Sequence, residues 1–135
     1  MHISRSNPST VASPIGTYSH AVRVETEEAV WIYVSGQIAQ DAQGNLVGRG
    51  DLAAQTDLVF QNLVRVLEAN GASFDDVVKI QTFMTTLDGL QGSRDVRARY
   101  LPDERPASTA VQVAALLAPE ALIEVDVVAV VPVDR

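Results

Sequence analysis

Residues 121–131, ALIEVDVVAVV, carry the reading of the whole chain. Side chains alternate across a β-strand. Ile123, Val125, Val127, Ala129 and Val131 therefore share one face, and that face is wholly apolar. It belongs beneath helices. The other face holds Leu122, Glu124, Asp126, Val128 and Val130. It carries too much aliphatic surface for open water, and carboxylates besides.

The same mixture recurs upstream. Residues 30–38, VWIYVSGQI, place Trp31, Tyr33, Ser35 and Gln37 on one side. Residues 76–86 place Lys79, Gln81 and Phe83 together, and residues 108–116 do the same for Ser108, Ala110 and Gln112. A lone copy would expose an apolar patch of this kind, which marks an association surface. Further copies of the chain would cover it. Polar groups on that face would then be buried or would line clefts between copies, where each needs a partner, a water or a ligand. This is the physical reason to expect a site at a subunit interface.

Between these strands lie two helical segments. Within 51–70, Leu52, Thr56, Val59, Phe60, Leu63, Val64 and Leu67 recur every three or four residues, the stripe of an amphipathic helix. Asp51 is its expected N-cap, and Asn70-Gly71 its stop. Residues 89–101 predict a shorter helix whose outer face carries the arginines. Residues 19–24 and 30–38, joined by the polar ETEE segment, predict a hairpin. Residues 1–17, rich in Ser, Pro, Thr and Gly, read as an extended arm. The expected order is β-β-α-β-α-β-β: an α+β fold, residues 1–135 in one domain, with one mixed sheet and both helices on one face.

Bulk properties narrow the function. The chain has 135 residues, 47% hydrophobic and 20% charged, as in globular proteins. It shows no apolar run long enough to span a membrane and no signal-peptide core, so no membrane partner and a cytoplasmic location are expected. The net charge of −7 gives a long-range field of the wrong sign for nucleic acid. Arg94, Arg97, Arg99 and Arg105 cluster locally, and the plain reading is a solvated helix face. Gly44, Gly48 and Gly50 suggest a phosphate loop, but no P-loop lysine follows and the third Rossmann glycine is missing. With no cysteine, thiol nucleophiles and thiolate zinc sites are excluded. His2 and His20 have no ligands at metal-binding spacing and read as exposed.

Four segments resemble a known family. Ala12-Ser13-Pro14-Ile15-Gly16-Thr17-Tyr18 resembles A-x-x-I-G-P-Y, and Ser35-Gly36-Gln37-Ile38 matches S-G-Q-I. Pro106-Ala107-Ser108-Thr109-Ala110-Val111-Gln112-Val113 resembles P-A-R-S-C-V-E-V, and Ile123-Glu124-Val125-Asp126 resembles I-E-I-E. The chain is similar in this way to the RidA/YjgF family, also called endoribonuclease L-PSP, from about Pro14 to Val130. The resemblance implies a chorismate-mutase-like fold and a homotrimer whose sheets form a central barrel with three clefts. It implies hydrolysis of reactive enamines and imines to ketoacids and ammonia, without metal or organic cofactor.

Carried over residue by residue, it keeps Tyr18, Ser35, Gly36 and Glu124. It puts Ser108 where the family has the arginine that clamps a substrate carboxylate, Ala110 in place of a cysteine, and Arg94 in place of an asparagine. Serine cannot supply a guanidinium's charge or fork. Arg94 and Arg105 are candidates to reach the cleft from another direction.

Glu124 is then the candidate for chemistry, because a carboxyl group in a partly dry cleft binds its proton tightly. The alternative is a structural carboxylate paired within the barrel. Ser35 has no histidine partner and is expected to offer a hydrogen bond rather than attack. Gly36 is expected to permit close approach. Tyr18 either closes over a ligand or packs at an interface. Lys79, the chain's one lysine, is expected to pair with Asp126. Three functions follow in order: a hydrolase on small imines or enamines, a trimeric small-molecule-binding or regulatory protein, and an endoribonuclease.

Overall fold

A computed structural model describes residues 1–134. Its elements in chain order are β1 (His2–Ser6), β2 (Ala21–Glu25), β3 (Ala29–Gln37), α1 (Leu52–Ala69), a 3-10 turn (Phe74–Asp76), β4 (Val77–Met84), α2 (Leu90–Ala98), β5 (Ala107–Gln112) and β6 (Ile123–Pro132). One six-stranded sheet takes the order β1-β2-β3-β6-β4-β5. The α+β class and both helices stand as expected. The opening strand corrects the reading of residues 1–17 as an arm throughout. His2–Ser6 is a polar edge strand that pairs antiparallel with β2, so its backbone holds it in place and its sequence carries no apolar alternation to betray it.

The last strand fills the middle of the sheet. β6 pairs antiparallel with β3 on one side and with β4 on the other, while β4 and β5 are parallel. A parallel pair needs a crossover, and α2 supplies it. The step from β3 to β4 by α1 and the step from β4 to β5 by α2 run the same way across the sheet. Crossovers of one hand then put both helices on the same face.

The helix-facing side of β6 is dry: Val125 and Ala129 are fully buried, as are Ile32, Ile80, Leu63 and Leu67 around them. Asp51 caps α1 as predicted, its carboxylate accepting from the Ala54 N–H at 3.0 Å. Two buried amides on α1 tie down the neighbouring loops. Gln55 Nε2 donates to the Gly48 and Glu120 carbonyls, and its oxygen accepts from Leu122 N–H. Asn62 Nδ2 donates to the carbonyls of Ile38 and Gln40. Both loops border the candidate site.

Two face assignments change. A β-bulge interrupts the β3–β6 register: Val34 faces Val127 and Gln37 faces Val125, so Ser35 and Gly36 together oppose Asp126. The extra residue turns Gln37 from the open face into the core, where it is buried. On β5, Ser108 pairs with Ile80, Ala110 with Thr82 and Gln112 with Met84. Those residues stand on the helix side, not with Glu124. Every residue of β5 is exposed, so alternation alone could not say which way it faced.

The open face carries Trp31, Tyr33 and Val111, all exposed. Leu63→Ala should cost about 2–5 kcal/mol of stability, measured by urea unfolding. Glu68→Ala, on the exposed side of the same helix, should change it by less than about 0.5 kcal/mol.

Candidate functional site

The bulge builds the first hollow, about 350 Å³ in volume, around Tyr18, Ser35, Gly36, Glu124 and Asp126. Ser35 closes it from behind. Its N–H donates to the His20 carbonyl at 2.8 Å, and its hydroxyl to the Ser19 carbonyl at 2.6 Å. The hydroxyl is thus spent on pinning the segment that carries Tyr18.

His20 is buried, which corrects the expectation that it is exposed. Its Nε2 lies 2.6 Å from the Ala12 carbonyl and its Nδ1 lies 3.1 Å from Gln37 Nε2. A neutral ring protonated at Nε2 satisfies both contacts. The polar environment that buries it comes from the bulge that swings Gln37 inward. Tyr18 remains exposed and meets His20 edge-on, ring centroids 6.2 Å apart.

Gly36 is where the close approach occurs, and the group that approaches is Glu124. A Cβ at Gly36 would lie 2.8 Å from Glu124 Cδ and 3.0 Å from its Oε2, closer than atoms can pack. Only a glycine lets this carboxyl group lie over the strand. Among the described residues the Glu124 side chain has no hydrogen-bond or ion-pair partner. Burial, and next the charge of Asp126, push its carboxyl above the ordinary range. Asp126 is also raised by burial, with Lys79 pulling the other way. The expected Lys79–Asp126 pair does not form: Lys79 Nζ donates to Thr109 Oγ1 at 3.0 Å, on the strand beyond. Among the described residues no cluster of three or more His, Asp or Glu side chains is placed to hold a metal.

Ser108, Ala110 and Arg94 stand elsewhere. They line a second hollow of about 490 Å³ beneath α2, with no residue in common with the first. Ile123 borders it and Glu124 borders the other, so β6 separates the two. Sequence reasoning missed its central residue. Arg97, read as part of a solvated helix face, turns inward. It donates from Nη1 to Thr82 Oγ1 at 3.1 Å and from Nη2 to Ser108 Oγ at 2.8 Å. Burial, then the charge of Arg105, lower its pKa. Arg94 stays exposed on the rim, and Arg105 donates to the carbonyls of Leu101 and Pro102. The signal for Arg97 was available in part: it follows Ser93 by four and Val96 by one, both buried on α2.

Residues 9–131 match the family described as Endoribonuclease L-PSP. The chain belongs to this family, the RidA/YjgF group. A RutC-family protein of Pyrococcus abyssi is 35% identical over 116 residues, 86% of this chain and 87% of its own. Among solved structures, a Yersinia pestis protein of the conserved Rid family is 32% identical with a TM-score of 0.86, covering 96% of this chain and 100% of that one. RidA of an Antarctic Psychrobacter is also 32% identical, with a TM-score of 0.80 over 93% of this chain and 97% of that one. Within this Rid chain, all four motif segments fall on the two hollows: the arm and bulge segments on the first, the β5 segment on the second, and the β6 segment on both.

The carboxyl shift has a consequence for stability. Glu124 binds its proton more tightly folded than unfolded. Its protonation therefore favours the native state, fully below the unfolded carboxylate pKa, and that contribution is lost as pH rises through the raised folded value. Glu124→Gln should thus raise the thermal midpoint at neutral pH. The gain over the parent should shrink as pH falls toward about 4, followed by calorimetric scans. A gain independent of pH would show that charge is not its cause.

Proposed function

We propose that this Rid-family chain hydrolyses small imines or enamines in the cytoplasm, in clefts between copies of a homotrimer. The observation that carries the reading is the unpartnered Glu124 carboxyl, lying over Gly36 beside Tyr18 in a partly dry hollow.

The chemistry follows from that placement. Glu124 as carboxylate takes a proton from water as the oxygen bonds to the imine carbon. It returns the proton to nitrogen as the carbon–nitrogen double bond becomes single. Collapse of the carbinolamine releases ammonia and leaves a carbonyl. A carboxyl group whose proton affinity is lifted toward neutrality suits both transfers. Tyr18, exposed at the rim, offers a ring and a hydroxyl to the ligand. Gly36 keeps the carboxyl close to the strand. No histidine or cysteine is needed.

Support for the assembly comes from two features. The open sheet face leaves Trp31, Tyr33 and Val111 uncovered in one chain, and Leu117, at the edge of the first hollow, is 99% exposed. The hollow with Glu124 and the hollow with the arginines lie on opposite sides of β6, so a single chain cannot close one around the other. A neighbouring copy can. A ribonuclease reading is disfavoured by the chemistry of the first hollow, whose two carboxylates would repel a phosphate backbone.

Purified protein should sediment at three times the chain mass and release ammonia from unstable imines above the buffer rate. Glu124→Gln should lower that rate by about 10²–10⁴-fold with the trimer intact. Calorimetric ligand binding with no turnover on any imine would instead establish the non-catalytic binding protein.

A further inference from the structure

Tyr18 is delivered by a segment that has little of its own to hold it. Residues 7–20 join β1 to β2 without helix or strand. Among the described residues, 13–18 make no hydrogen bond. A stretch of that kind is ordered only by contacts at its ends and within itself. Val11 sinks into the core at one end, and β2 begins at the other. His20 joins the two. Its Nε2–H donates to the Ala12 carbonyl at 2.6 Å, closing residues 12–20 into a loop. Its backbone N–H reaches back to Asn7 Oδ1 at 2.9 Å. The Tyr18 ring rests on this loop's own atoms: it meets the imidazole edge-on, and a Cβ at Gly16 would come within 3.2 Å of it.

Only one form of the imidazole closes the loop. Gln37 Nε2 faces His20 Nδ1 at 3.1 Å and also donates to the Ser35 carbonyl at 3.1 Å. Turning the amide over would set its oxygen against the Ser35 oxygen. The amide therefore presents N–H to Nδ1, and Nδ1 accepts. That fixes the ring proton on Nε2, where the Ala12 carbonyl takes it. A proton on Nδ1 instead would set donor against donor and acceptor against acceptor, with His20 and Gln37 both buried. Gln37 owes its inward direction to the bulge, and the bulge also seats Glu124 over Gly36. The imidazole thus ties the seat of the carboxyl to the seat of the tyrosine.

We propose that His20, as its Nε2–H tautomer, is a positioning residue that holds Tyr18 at the Glu124 hollow by linking Gln37 of the bulge to Ala12 of the arm. It acts through Tyr18 rather than on the ligand. The inference rests on the reading of this hollow as a site of imine hydrolysis, for which it names the group that sets ligand affinity.

Two measurements test this: kinetics on an imine formed in situ, and fluorine NMR of the intact protein labelled with fluorotyrosine. His20→Leu keeps the bulk and removes both ring contacts. It should raise KM about tenfold with kcat within about twofold. It should also move the Tyr18 signal, which is identified by its loss in Tyr18→Phe. His20→Gln retains a donor and an acceptor and should bring KM and the signal back near the parent. In a Tyr18→Ala background, His20→Leu should change KM by less than about twofold, because both act through one contact. A parent-like KM or an unmoved Tyr18 signal in folded His20→Leu overturns the proposal. So does an undiminished His20→Leu effect in Tyr18→Ala protein. If His20→Leu does not fold, nitrogen NMR of the parent imidazole decides: the proton sits on Nε2, or the proposal falls. Should the parent turn over no imine, the hydrolase reading fails, and the Tyr18 signal still decides the role of His20.

Discussion

The placement of β6 between β3 and β4 is the constraint on which the rest of the molecule depends. This last strand hydrogen-bonds to both neighbours, so the sheet is continuous only when the end of the chain has been inserted into its centre. Its strict alternation then does two jobs. One row of side chains seals the core under α1; the other carries Glu124 and Asp126 onto a face that no element of the chain covers. Because adjacent residues of a strand point to opposite faces, the apolar row positions the carboxylates to within a side-chain length.

A local irregularity converts that regular surface into a hollow. The bulge at Ser35 and Gly36 sets two residues of β3 against one of β6, bending the strand where Glu124 passes beneath. Three effects share this cause. Gln37 is turned inward and receives buried His20. Ser35 is free to hold the segment leading to Tyr18. Gly36 presents bare backbone to a carboxyl group that any larger residue would displace. Burial beside Asp126 then raises the proton affinity of Glu124, which links a backbone defect to the proposed proton transfer.

The arginine hollow is built differently, from a helix and an edge strand. α2 is short and its apolar face is thin, with Ser93 and Val96 its buried residues. Arg97 reaches from that face to β5, where its guanidinium donates to Ser108 Oγ. The guanidinium in this hollow is thus delivered by a helix and met by an edge strand.

Much of this was legible in the residues themselves. The period-two pattern of 121–131, the helical stripe of 51–70 and the Asp51 cap are local signals, and the structure follows them. Motif resemblance also put Tyr18, Ser35, Gly36 and Glu124 on one list, and the fold brings them around one hollow. What local pattern could not carry was anything fixed by register or by a distant partner. The bulge reversed Gln37; pairing with β4 turned Ser108 and Ala110 to the helix side; backbone pairing alone made His2–Ser6 a strand. Burial of His20 and the inward turn of Arg97 depend on contacts with residues far along the chain, and Lys79 chose Thr109 over Asp126 for the same reason. Alternation states which residues share a face. Only the assembled sheet decides what that face meets.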